Sequence, residues 1–213
     1  MLYNHGSAPG MLNSKASAIL GPLYVNQGFV FFMPYRRGQG LSQDAGTYIG
    51  DEIEKAKQKN GDAGAVETLV QLLKTDHLDD QMAALRWLKK QNYILTAKIA
   101  VAGNSFGGIE VVLGADRAAY CAAIDALGGA ETWATAPELQ TLMKDSVRNS
   151  KSPIFFFQAE NDFDLAPSRV LSAESRSSRL NKKGPIFEPD FEGDIGFGHS
   201  FGEQLNLTQL NCA

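Results

Sequence analysis

Short apolar runs of strand length alternate along the chain with longer stretches whose apolar residues recur at helical spacing. That is the pattern of βα units built around a parallel sheet. Residues 1–4 read as a short first strand ending at His5-Gly6-Ser7, followed by a helix over 15–26 and a strongly β-prone run, GFVFFMP, over 28–34. The glycine-rich stretch 36–47 has few apolar residues and reads as a loop. Helices are expected over 50–60 and 63–75, the second with Leu69, Leu72 and Leu73 on one face. The best helix spans 79–92, with Asp79 or Asp80 as cap and Met82, Leu85, Trp87 and Leu88 forming an apolar side.

Strands are expected over 98–102, 120–127 and 153–158. A helix carrying Ile109, Val112 and Leu113 follows the first of these, and a helical stretch over 131–149 without a strong apolar stripe follows the second. The third runs into an acidic loop, Glu160-Asn161-Asp162-Phe163-Asp164, then a polar helix over 167–181, the run 185–191 and a glycine-rich segment over 193–202. With no internal repeat, low-complexity tract or linker, residues 1–213 read as one domain.

The bulk numbers narrow the class. Hydrophobic residues make up 44% of the 213 residues and charged residues 21%, an ordinary globular mix. A net charge of -4 gives no electrostatic basis for binding nucleic acid. Of the two cysteines, Cys121 lies in an apolar run and Cys212 lies one residue from the end, so no disulfide is expected. Three histidines and two cysteines show no zinc spacing, so no metal is expected. No apolar run is long enough to span a membrane. Nor does a basic region followed by an apolar core open the chain, which favours the cytoplasm. The chain enters a strand almost at once, which leaves room for upstream residues, an export signal among them.

The strongest chemical signal is Gly103-Asn104-Ser105-Phe106-Gly107-Gly108, between a strand-like run and an apolar helix. A serine hydroxyl needs a base to take its proton and a backbone that projects it into the open. A tight strand-to-helix turn projects it but crowds its neighbours, which is why glycines flank it. The same turn aims the Phe106 amide at an oxyanion from a helix N-terminus. The competing reading is a glycine-rich turn used for packing or phosphate binding, and the strand and helix on either side weigh against it. His199, in a glycine-rich loop after the last expected strand, is the candidate general base. His77 opens a helix and reads as solvated or capping, while His5, beside Gly6, is a candidate for organising an oxyanion loop. The acid that orients the histidine is sought among Glu160, Asp162 and Asp164, with Asp162 preferred to Asp164 on its offset from the strand end. The order Ser105, Asp162, His199 is that of α/β-hydrolases.

Together these pieces resemble the dienelactone hydrolase-like and prolyl-oligopeptidase-like branches of the α/β-hydrolase superfamily. The matching residues are Asn4-His5-Gly6-Ser7, the loop Tyr35-Arg36-Arg37-Gly38-Gln39-Gly40-Leu41-Ser42, the stretch from Asp80 to Gly108, Asp162, and Gly198-His199-Ser200-Phe201. The resemblance implies an α/β-hydrolase fold, a mostly parallel sheet flanked by helices, with the family's N-terminal strands absent or shortened. It also implies an edge that a second subunit of a homodimer would cover. Dienelactone hydrolases use cysteine where this chain has Ser105, which favours a serine esterase, and these 213 residues show no counterpart of the oligopeptidases' propeller domain, which weakens an oligopeptidase reading.

On this reading Ser105, His199 and Asp162 cleave a small-molecule carboxylic ester with no cofactor, while the amides of Phe106 and of Ser7 or Gly6 hold the oxyanion. A small cap is expected at about 131–150, with Trp133 and Met143, beside Leu139 and Leu142, lining a pocket for short acyl chains. An aminopeptidase, amidase or thioesterase on the same fold, and a non-catalytic binding module, remain as alternatives.

Overall fold

The computed structural model describes residues 1–7 and 16–180. Within them, four of the apolar runs become parallel strands: β1 (Leu2–Asn4), β2 (Val101–Asn104), β3 (Ala123–Ala126) and β4 (Ile154–Phe157), in the spatial order β1-β2-β3-β4. Their side chains alternate between two faces, as the pleat requires. Leu2, Val101, Ala123 and Ile154 enter one apolar cluster, whereas Tyr3, Ala102 and Ile124 enter another.

Helices cover both faces, because a parallel sheet must bury both. On the second face lies α1 (Ala16–Asn26), whose Leu20 and Tyr24 pack over the small side chains of Ala100, Ala102 and Ala122. The first face carries α2 (Ile49–Lys74), α3 (Asp76–Lys89), α4 (Phe106–Arg117), α5 (Pro137–Asn149) and α6 (Ala166–Leu180). Register places Asn4 beside Gly103, Asn104 beside Ala126, and Ala126 beside Phe157. The carboxyl ends of all four strands therefore meet at one edge, the edge where α/β folds place their sites.

Several details depart from the sequence expectations. The run 28–34 contributes a single bridge, Phe32 to Leu2, because β1 is only three residues long. Its aromatic rings pack instead, with Phe31 lying 5.6 Å from both Tyr3 and Tyr24. The helices expected over 50–60 and 63–75 form one element, α2, broken at Gly61 (φ 70°). α3 starts at Asp76, so Asp79 and Asp80 are not its caps. Instead the Asp80 carboxylate takes hydrogen bonds from the Arg37 amide (3.0 Å), Nε (3.0 Å) and Nη2 (2.7 Å).

α5 does have a buried stripe, Leu139, Met143, Ser146 and Val147, disguised by the serine in it. Cys121 is disulfide-bonded, contrary to expectation. The other cysteine, Cys212, lies outside the described residues. No helix among the described residues is long and apolar enough to cross a membrane.

Candidate active site

Ser105 stands between the last residue of β2 and the first of α4, with φ 53° and ψ -120°. A non-glycine residue in that region is strained by roughly 1–3 kcal/mol and persists only where its surroundings impose it. Here the Ser105 amide donates to Ala126 O at 2.9 Å, and its carbonyl accepts from Gly108 (2.9 Å) and Ile109 (3.2 Å). The neighbouring glycines allow the crowding. A Cβ on Gly103 would strike the Gly107 carbonyl, one on Gly107 would strike the backbone of Asn4 and His5, and one on Gly108 would strike the Asp125 carboxylate and Gly128. The turn is thus wedged between the ends of β1 and β3, with Ser105 half-buried at the edge.

The loop after β1 comes up beside it. Asn104 Oδ1 accepts the Tyr3 hydroxyl at 2.9 Å and the Gly6 amide at 3.1 Å. The Gly6 N–H, one of the two candidate donors of this loop, is thus donated to Asn104. Phe106 opens α4, where the first N–H groups of a helix have no intrahelical acceptor. Ser7, Phe106 and Ser105 line one cavity, and among the described residues the buried Ser7 hydroxyl has no partner.

His5 is fully buried, its Nδ1 2.6 Å from the Gly6 carbonyl and its Nε2 accepting the Arg36 amide at 3.4 Å. Burial, reinforced by the Arg36 charge, lowers its pKa to about 4. His77 is not the solvated or capping residue expected. It is buried, sits edge-on to the Phe106 ring at 5.4 Å, and is lowered to about 4 by burial and by Arg36. Both rings are buried and neutral near pH 7, His5 hydrogen-bonded and His77 packed on Phe106, so neither reads as the base. His199 lies outside the described residues.

Asp162 and Asp164 follow β4 at the same edge as Ser105, and two strand spacings separate β2 from β4, roughly 10 Å. The two carboxylates have different work. Asp164 Oδ1 accepts the Ala166 amide at 2.8 Å, an Asx-turn that opens α6. Asp162 is half-buried; its Oδ2 accepts Gln158 Nε2 at 2.9 Å and its Oδ1 the Phe163 amide at 2.8 Å. Gln158 also donates to the Asp164 carbonyl at 2.6 Å, so one side chain from the end of β4 braces the whole turn.

The cavity in front of Ser105 has a volume of about 660 Å³. Its apolar wall comes from Ile53, Val66 and Leu69 of α2, facing Phe106 and Ile109 of α4, and Lys57 and Asp62 stand at its rim. The loop at Gly129–Thr132 closes the other side. Trp133 and Met143 do not line it, contrary to expectation: they are 5% and 0% exposed and belong to the core beneath α5. Among the described residues no group of three or more His, Cys, Asp or Glu side chains could hold a metal ion.

A strained serine between strand and helix, at the carboxyl edge of a parallel sheet flanked by helices, fits the α/β-hydrolase fold and stands where that fold carries its nucleophile. Residues 14–204 match the dienelactone hydrolase family, and the chain belongs to that family of hydrolases. Among solved structures it is similar to prolyl oligopeptidase B from Galerina marginata. To the form bound to a 25mer macrocyclization substrate it has 19% identity and a TM-score of 0.50, covering 86% of this chain and 27% of that one. To the apo form it has 15% identity and a TM-score of 0.50, covering 98% and 30%. The chain thus spans less than a third of those proteins, and the likeness is one of fold. Comparison with curated protein sequences gave no match.

Proposed function

We propose that this protein is a serine carboxylesterase for small esters with short acyl chains. Ser105 attacks the ester carbonyl while His199 takes its proton and Asp162 holds the imidazole. The Phe106 and Ser7 amides receive the oxyanion. Collapse of the tetrahedral intermediate passes the proton from His199 to the departing alkoxide and leaves an acyl group on Ser105. Water, deprotonated by the same imidazole, then releases the acid and restores the serine.

The observation that carries this reading is the strained turn at Ser105, opening on a cavity that Ser7 and Phe106 also line. The burial of His5 and His77 supports His199 as base, and the Asx-turn role of Asp164 supports Asp162 as the acid. A lactone is itself an ester, so the family description supports ester over amide cleavage. The test is a panel of p-nitrophenyl esters beside aminoacyl anilides, with fluorophosphonate labelling of wild type and Ser105→Ala. Ester turnover and labelling should both vanish in the variant. Turnover within about tenfold of wild type, against a usual loss of about 10⁴, would remove Ser105 from the chemistry.

A further inference from the structure

We infer that Arg36 is a positioning residue for the oxyanion hole: buried under the loop after β1, it pins that loop's carbonyls to Glu110 on the nucleophile's own helix, which turns the Ser7 amide toward Ser105. The inference rests on the esterase reading above and assigns a role to the glycine-rich loop at 35–42, which the triad itself does not use.

Arg36 and Glu110 are 4% and 1% exposed. Arg36 Nη1 donates to Glu110 Oε2 at 2.7 Å and to the His5 carbonyl at 2.6 Å. Its Nη2 donates to the Gly6 carbonyl at 2.8 Å and to Gln39 Oε1 at 3.3 Å. The guanidinium also lies 4.6 Å from the centroid of the Phe106 ring, the residue whose amide is the other proposed donor. One planar fork thus touches both halves of the hole.

Peptide planarity turns these contacts into an orientation. In a trans peptide the carbonyl and the following N–H point in opposite directions. The His5 carbonyl and the Gly6 amide share one plane, held by Arg36 at one end and Asn104 at the other. The Gly6 carbonyl and the Ser7 amide share the next. There the carbonyl is held by Arg36 and by the His5 ring, so the Ser7 N–H must point the opposite way, away from the clamp.

Stability alone does not account for this ion pair. Burying two charges costs several kcal/mol each, and an apolar pair of similar volume is often as stable or more so. The pair is also incompletely satisfied: among the described residues, Arg36 Nε and Glu110 Oε1 are buried without partners. A lysine would keep the charge but lacks the fork that reaches two carbonyls and a carboxylate together.

The experiment compares Arg36→Met/Glu110→Leu and Arg36→Lys with wild type in p-nitrophenyl acetate kinetics, with thermal melts of each protein and Ser105→Ala as the control. For both variants kcat should fall by at least about tenfold, approaching the roughly 10²-fold loss of a missing oxyanion donor. KM should stay within about threefold, with the loss confined to the transition state. The rate of fluorophosphonate labelling should fall in parallel while the melting temperature of the double variant is kept. Wild-type kcat in either folded variant would overturn the inference. So would a loss of kcat that only tracks the folded fraction in both, which would assign Arg36 to stability. If Ser105→Ala is dead while the Arg36 variants turn over normally, the esterase reading stands and the clamp falls. Activity persisting in Ser105→Ala would instead overturn the esterase reading, and the clamp with it.

Discussion

Asn104 Oδ1 accepts the Gly6 amide at 3.1 Å, so the residue immediately before Ser105, the proposed nucleophile, holds the loop after β1. The same oxygen takes the Tyr3 hydroxyl at 2.9 Å. One side-chain carbonyl therefore joins the end of β1 to the end of β2 and fixes the separation of the two candidate oxyanion donors.

Removing that carbonyl should be felt in catalysis more than in folding. Asn104→Ala is expected to lower kcat by roughly 10- to 100-fold, with KM little changed, because the loop bearing Ser7 loses its tie to the elbow. Steady-state kinetics with a short-chain ester, beside a thermal melt, reads both effects. Unchanged kcat in a folded variant would show that Asn104 does not set the hole.

The two acidic residues of the β4 loop should separate cleanly. Asp162→Asn is expected to lower kcat by about 10⁴-fold, because the imidazole loses its orienting carboxylate. Asp164→Ala should instead cost about 1 kcal/mol of stability through the lost turn at the start of α6, with kcat nearly unchanged. Reversed results would move the acid to Asp164.

Acyl-chain selection should follow α2 rather than α5. Ile53→Ala enlarges the cavity wall and should raise kcat/KM for hexanoate relative to acetate by roughly tenfold, since a methylene in an apolar pocket is worth roughly 1–3 kcal/mol. Trp133→Ala should cost about 3–5 kcal/mol of stability and leave the chain-length preference in place. A shifted preference in Trp133→Ala would return that residue to the pocket.

His77 gives a stability prediction with a defined sign. Its pKa falls from the ordinary 6.5 to about 4 in the folded protein, chiefly through burial. Unfolding below pH 6.5 therefore takes up a proton that the native state refuses. The stability this group contributes is complete above pH 6.5 and is lost as pH falls toward 4, by roughly 3 kcal/mol over the window. Urea midpoints of wild type and His77→Leu at pH 7, 5.5 and 4.5 isolate the effect. Wild type should lose stability relative to the variant on acidification, and a pH-independent difference would refute the assignment.

Much of the scaffold was legible because burial on both faces leaves continuous apolar runs, as at Ile154–Phe157, and because Gly103, Gly107 and Gly108 announce close backbone approach. The run 28–34 misled because its β propensity is spent on aromatic packing against Tyr3 and Tyr24, with one bridge to the sheet. α5 hid its stripe behind Ser146. Trp133 and Met143 were drawn to the pocket by family analogy, but their apolar bulk fills the core beneath α5.

The fine geometry of the site was harder to read. Nothing local says that the Gly6 amide is taken by Asn104, since the two are 98 positions apart and meet only when β1 pairs with β2. The Arg36–Glu110 pair did leave a signal. Glu110 is a lone charge in the apolar stretch from Ile109 to Leu113, and such a residue calls for a buried partner elsewhere in the chain.

The apolar outer wall of the cavity is made by α2, a long helix that buries few of its residues. Of the 26 residues of α2, the fully buried ones are Ile49, Gly64, Leu69 and Leu73, whereas the turn at Ser105 is locked on every side. Substitutions along α2 can therefore reshape what the cavity admits at small energetic cost, while changes around Ser105 disturb the whole edge of the sheet. Selection acting on such a molecule would diversify its diet through α2 and keep the chemistry fixed.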